Sequence, residues 1–248
     1  MDDYRKRCYA AYVTACWSQA HVSSPEEYRL FSEYAARRFN HFLPEDRNSR
    51  ILDLACGAGH FLFHLQACGY LNTAGIDLSD QQLALAREMK IKNIDQADLF
   101  AFLPQHKNAY DMIIANDIVE HLRKPEIILF FDLVHESLKT GGRVMVSTLN
   151  AESLQGAAIL HGDFTHETGF TAASLAQVLK TCGFCDVSVQ GIAPVARDLR
   201  SSLRCAAWFV LKKMLRIYRK IERGTGRGVW PNQSILEPQI YAVACKRV

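Results

Sequence analysis

Carboxylates, imidazoles and glycines stand together at three places in this 248-residue chain. The first is Asp53-Leu54-Ala55-Cys56-Gly57-Ala58-Gly59, with Asp77 further on. Gly57 and Gly59 let a backbone turn sharply and approach a ligand closely, and the N–H groups opening a following helix favour negative charge. A carboxylate at Asp77 can accept hydrogen bonds from both hydroxyls of a ribose. Asp53 would repel a pyrophosphate and attract an ammonium group. The third glycine of the dinucleotide fingerprint is absent, Leu62 standing in its place, so the implied ligand has a ribose and a cationic end. The second place is Asn116-Asp117-Ile118-Val119-Glu120-His121. The third holds His161, Asp163, Thr165, His166 and Glu167, a dense set for general-base or hydrogen-bonding work.

Positioning these groups requires strands that end where the groups begin. Ile51–Leu54 reads as a strand that enters the glycine loop and then a helix from Phe61 to Ala67. Thr73–Ile76 delivers Asp77, and Ser79-Asp80 caps a helix through Lys90. A short strand near 93–97 brings up Asp98, which is either a helix cap or a ligand group at the carboxyl edge of a parallel sheet. Tyr110–Ala115 reads as a strand buried on both faces. Pro125 opens a helix to about Leu138, Lys139-Thr140-Gly141-Gly142 is a turn, and Arg143–Ser147 is the fifth strand. A loop follows to Phe170, then a helix over 171–181 and strands over 184–190 and 239–245. Ahead of the core, residues 4–20 suggest a helix carrying Tyr4, Tyr9, Tyr12 and Trp17. Ser24-Pro25-Glu26-Glu27 starts another that runs to about Phe42.

The pattern Asp53-x-Ala55-x-Gly57-x-Gly59 with Asp77 resembles the cofactor site of the class I S-adenosylmethionine-dependent methyltransferases, over roughly 49–184. Asn116 to Leu122 resembles that family's fourth motif in the form found among small-molecule O-methyltransferases. The resemblance implies an α/β fold: a Rossmann-like, doubly wound, seven-stranded sheet, mostly parallel with an antiparallel last strand. It implies one domain, with N-terminal helices over 1–48, a cofactor-binding core over 49–191, an inserted cationic helix within 192–237 and the last strand over 238–248. S-adenosylmethionine is the implied cofactor, contacted by Asp53, Ala55, Gly57, Gly59, Asp77, Leu78, Asp98, Leu99 and Asn116. Asp98 would receive the adenine amino group, Asn116 or Asp117 would lie beneath the methionine portion, and His121 would stand at the pocket rim. Tyr28 or Trp17 either touches substrate or covers the sheet.

The loop at 162–171 and the segment Ile235-Leu236-Glu237-Pro238 resemble methyltransferases of bacterial surface-polysaccharide biosynthesis, which implies O-methylation of a sugar hydroxyl. A quinone-precursor O-methyltransferase is the alternative suggested by Glu120-His121, and a non-catalytic cofactor-binding module is a second. His166, in the added loop with Glu167 to orient its ring, is the expected general base, with His121 and Asp117 beside it. No metal is expected, because the spacing matches no standard ligand pattern and Cys182-x-x-Cys185 lacks a second pair. The Asn/Asp-Pro-Pro-aromatic motif for exocyclic amines is missing, which argues against nucleic acid.

Composition is ordinary for a globular chain, with 22% charged residues, 49% apolar ones and a net charge of +3. Met1 to Arg7 is polar with no apolar h-region after it, so no export signal is read and a cytoplasmic chain with reduced cysteines is expected. Residues 198–223 form a helix mixing apolar side chains with eight lysines and arginines. It either packs on the domain, pairs with a second subunit, lies on an anionic membrane face or accepts an anionic substrate.

Overall fold

The strands alternate their side chains between two helical layers. In β1 (Ile51–Leu54), Ile51 enters one apolar cluster while Leu52 and Leu54 enter the other. β4 (Tyr110–Asn116) divides likewise, with Met112 and Ile114 on one face and Ile113 and Ala115 on the opposite one. Both strands are buried on both faces, as their unbroken apolar sequence requires. The computed structural model describes residues 3–10, 24–196, 198–223 and 235–247. Tyr12, Trp17 and Gly224 to Gly228 lie outside them.

Seven strands form one sheet in the order β3-β2-β1-β4-β5-β7-β6, the remaining strands being β2 (Thr73–Asp77), β3 (Ile94–Gln96), β5 (Leu138–Leu149), β6 (Phe184–Gly191) and β7 (Gln239–Lys246). β1 to β5 pair in parallel and β7 runs antiparallel to β5 and β6, which is the expected doubly wound topology. The strand order reverses between β1 and β4, so a crevice opens at their carboxyl ends. α1 (Asp3–Ala10) lies at the crevice, where Arg5 bonds the His121 carbonyl, while α2 (Pro25–Phe39) and α3 (His60–Ala67) cover one face over the β1 region with Tyr28, Ala35, Phe39, Phe61 and Leu65. α4 (Asp80–Glu88) follows β2, and the short α5 (Leu99–Phe102) follows β3. α6 (Lys124–Ser137) fills the other face with Phe130, Phe131 and Val134.

Local chemistry sets the boundaries. Ser24 caps α2 through a reciprocal pair with Glu27, with Pro25 opening the helix. Leu62 replaces the fingerprint glycine without disrupting the layer because Gly75 of β2 lacks a side chain: a Cβ there would lie 2.4 Å from Leu62 Cδ1. The turn expected at 139–142 is instead part of β5. Tyr110 pairs with Leu138 and Met112 with Arg143, so these four residues bulge opposite Asp111, and Gly141 takes φ +77° there. The loop after β5 contains a short helix, α7 (Gly156–Leu160), before α8 (Ala172–Thr181).

α9 (Leu199–Arg223) presents a distribution that its sequence leaves open. Its domain side consists of Ser201, Cys205, Trp208, Lys212, Leu215 and Arg219, the less exposed positions. Lys212 Nζ bonds Glu237 Oε1 at 2.6 Å, and Arg219 bonds Glu152 Oε1 at 2.8 Å and its carbonyl at 2.6 Å. Leu199, Leu203, Val210, Met214, Ile217 and Ile221 face away from the domain, 53–78% exposed. The outward apolar stripe is therefore not the docking face, and ion pairs of Lys212 and Arg219 beside Cys205, Trp208 and Leu215 hold the helix in place.

Candidate active site

The crevice holds a cavity of about 360 Å³. Its first wall is the loop after β1. Gly57 has φ +53° and its N–H donates to Asp77 Oδ2 at 2.8 Å, while Ser79 N–H donates to Oδ1 at 2.7 Å. These bonds fix the Asp77 carboxylate at the end of β2, where it lines the cavity with Ala55, Gly57 and Leu78. A Cβ on Gly57 would meet only Gln82 Oε1, at 3.9 Å, so the space above it belongs to the cavity. Asp98 and Leu99 form the next wall. Both readings of Asp98 meet in one residue: Oδ1 caps α5 through Phe100 N–H at 2.8 Å and Ala101 N–H at 3.3 Å, and the residue also faces the cavity.

Two of the sequence-derived positions stand behind the wall. Gly59 packs toward Ile91 and Ala86. Asp53 is buried beneath the loop, 2% exposed, and burial followed by the nearby Asp77 charge pushes its carboxyl up to about 8. No described residue hydrogen-bonds to or ion-pairs with that carboxyl. A buried carboxyl without a partner, beside a backbone cradle and a fixed ribose acceptor, suits a ligand that brings its own positive charge. Tyr28 is fully buried, stacks on His60 at 4.1 Å between ring centres and donates to Ala58 O at 2.5 Å. It braces the glycine loop from outside and does not reach the cavity.

The deeper wall comes from the end of β4 and the turn after it. Asn116 and Asp117 line the cavity, and Ser147 Oγ lies 3.1 Å from an oxygen of each. His121 also lines it but is buried at 7% exposure, an inner-wall position and not the rim expected. Its Nδ1 lies 2.9 Å from Thr165 Oγ1, whose proton goes to Asp163 Oδ1 at 2.7 Å. The hydroxyl must therefore accept from His121, which places the proton on Nδ1 and the lone pair on Nε2. Burial, reinforced by His166, lowers the His121 pKa to about 4.

His166 does not line the cavity. It stands behind His121 with ring centres 4.8 Å apart, and its Nδ1 donates to Leu160 O at 3.0 Å. The expected partnership with Glu167 is not formed. Glu167 turns toward α1, where it bonds Tyr4 and lies 3.7 Å from Arg5 Nε. His161 is exposed and apart from the group. Glu120 joins it instead: burial pushes its carboxyl up to about 8, with the Asp117 charge adding to that, and Thr148 Oγ1 donates to it at 2.8 Å.

Sequence reasoning assigned no role to Glu120, although it precedes His121 in the quoted motif. Arg5 was missed altogether. It donates to His121 O at 2.7 Å and to Glu126 at 2.8 and 2.9 Å, closing one side of the cavity with Tyr9. A contact between residues so distant in sequence leaves no local signal.

A methyltransferase-domain family matches residues 27–189. A ubiquinone biosynthesis O-methyltransferase of Cronobacter sakazakii is 30% identical over 106 residues, covering 41% of this chain and 42% of that one. A ribosomal protein L11 methyltransferase of Chromobacterium violaceum is 29% identical over 119 residues, covering 47% and 38%. The chain thus spans less than half the length of these curated relatives. A solved SAM-dependent methyltransferase from Archaeoglobus fulgidus shares the fold at TM-score 0.62 and 21% identity, over 89% of this chain and 97% of that one. Phosphoethanolamine N-methyltransferase 2 of Haemonchus contortus, solved with S-adenosyl-L-methionine, matches at TM-score 0.59 and 18% identity, over 88% and 52%. With Gly57 and Asp77 lining the crevice and the family match covering most of the chain, this protein belongs to the methyltransferase-domain family.

Proposed function

We propose that the chain methylates a hydroxyl of a small-molecule or glycan acceptor, with a sugar hydroxyl of a bacterial surface polysaccharide as the favoured acceptor. The observation that carries the hydroxyl reading is His121 on the inner cavity wall with its tautomer set by Thr165 and Asp163. Asp77 would hold the ribose, Asp98 the adenine amino group, Asn116 the methionine end and Asp53 the ammonium. Bound S-adenosylmethionine supplies an already activated methyl group, so the chain's own work is to align the acceptor, exclude water and draw away the hydroxyl proton. Asp117 and His121 both line the cavity, which supports their meeting the acceptor oxygen. Incubation with sugar nucleotides, glycans and catechol-type quinone precursors, followed by mass spectrometry, tests the reading. Methylation of a sugar hydroxyl is the expected product. Exclusive methylation of a quinone precursor would favour the chemistry of the Cronobacter relative.

The same reading includes a peripheral membrane contact through α9. Its outward apolar stripe is flanked by Arg200, Arg204, Lys213, Arg216 and Lys220, which complement an anionic lipid surface. No helix among the described residues is long and apolar enough to cross a membrane. The chain is expected to float with vesicles containing phosphatidylglycerol and to dissociate as salt rises, because exposed charges are screened beyond about 8–10 Å near physiological ionic strength. Leu203→Glu with Ile217→Glu should abolish flotation. A salt-independent dimer that the same pair of substitutions dissociates would assign the stripe to a second copy instead. Trp208, on the domain side of the helix, is not the residue to test.

A further inference from the structure

We infer that Glu120, His121 and His166 hold a divalent cation of borderline softness, such as zinc or iron(II), beside the acceptor end of the cavity. The inference deepens the hydroxyl-methylation reading and rests on it. One ligand atom from each residue lies within 4.8 Å of the others. Two imidazoles and a carboxylate form a donor set for such ions, leaving coordination positions open to substrate oxygens. Around one ion at bond lengths near 2.1 Å, ligand atoms stand roughly 3.4 Å apart, so the separations need contract by at most about 1.4 Å on loading.

The surrounding hydrogen bonds point the same way. A ligating imidazole donates its other ring N–H to a protein acceptor, which fixes both tautomer and orientation. Both rings do this: His166 through Leu160 O at 3.0 Å, and His121 through Thr165 Oγ1 at 2.9 Å with Asp163 behind it. Each keeps its lone pair on Nε2. Glu120 is 1% exposed, and no lysine or arginine among the described residues pairs with it. Arg5, which touches the turn, is committed to Glu126 and to the carbonyl of His121. A buried carboxylate without a cation is costly, and a metal ion supplies one.

The class of acceptor follows. A cation with open positions favours two adjacent oxygens, as in a vicinal sugar diol or a catechol, one of them the hydroxyl to be methylated. Coordination lowers the pKa of that hydroxyl, and its proton passes to solvent. The oxygen–carbon bond then forms as the carbon–sulfur bond breaks, and the sulfur leaves as the neutral thioether of S-adenosylhomocysteine.

The test uses full-length protein treated with EDTA, dialysed and titrated with Co²⁺ while its d–d absorption is recorded, with Zn²⁺ as competitor. One Co²⁺ per chain, displaced by Zn²⁺, is the expected result. His166→Ala and Glu120→Gln should each weaken Co²⁺ binding at least tenfold. Unchanged S-adenosylmethionine affinity in His166→Ala, a partly exposed position, shows that the fold is kept. Absence of stoichiometric Co²⁺ binding, or binding that His166→Ala leaves intact, overturns the cation site. Full hydroxyl methylation by the EDTA-treated enzyme also overturns it while leaving the hydroxyl reading standing. A cation bound through these residues with no hydroxyl acceptor methylated supports the site and removes the hydroxyl reading.

Discussion

Gly57→Val will abolish measurable S-adenosylmethionine binding, and Asp77→Ala will weaken it by roughly 10- to 100-fold. At Gly57 the backbone sits at φ +53°, where a β-branched residue is strained by about 1–2 kcal/mol, and the new methyl groups would project into cavity space otherwise open for 3.9 Å. Asp77 is expected to accept charged hydrogen bonds from the ribose, each worth about 1.5–3 kcal/mol. Its removal also releases the N–H groups of Gly57 and Ser79 that shape the loop. Titration calorimetry on both variants checks this, and wild-type affinity in either would defeat the assignment of this loop to the cofactor.

The same calorimetry has a pH signature. With its pKa pushed up to about 8, Asp53 is mostly protonated at pH 7 in the unliganded chain. An ammonium brought close favours the carboxylate, so binding should release up to about one proton at pH 7. Affinity should then rise with pH toward 8. For the unliganded chain the sign is opposite: folding raises this pKa above its ordinary 3.8, so stability falls as pH climbs from there toward 8. Binding heats at pH 7 that do not depend on the buffer's ionisation enthalpy would remove the ammonium from Asp53.

The second large effect is on turnover. His121→Ala should lower the methyl-transfer rate by ~10²–10⁴ while leaving cofactor affinity unchanged, the range expected when a group that helps deprotonate the acceptor hydroxyl is lost. The sequence alone favoured His166 for that role because it lies in the acceptor-side loop. The geometry shifts the expectation to His121, which lines the cavity while His166 stands behind it. His166→Ala should still cost a comparable factor, because it removes one of three groups acting together. Near-normal turnover in His121→Ala would end this assignment.

Local features of this protein were legible in the sequence. The Ser24 cap with Pro25, the strand leading into Gly57 and the carboxylate ending β2 each depend on neighbours a few residues away. Backbone conformation and side-chain period are decided at that range. The mostly parallel sheet with an antiparallel last strand also followed, from the family resemblance carried by Asp53, Gly57, Gly59 and Asp77.

What only the tertiary structure decided lies between distant segments. The Asp163–Thr165–His121 chain joins a turn after β4 to a loop after β5, and Glu120, His121 and His166 converge only once both are packed at the same sheet edge. No linear ligand spacing could display that set, which is why a metal was not expected from the sequence. Arg5 reaches the carbonyl of His121 from 116 residues away in the sequence. In α9 the period of the sequence established that an apolar stripe exists, but period carries no information about what covers it. The Glu237 and Glu152 contacts decided that, by turning Lys212 and Arg219 inward and leaving the apolar side chains outside.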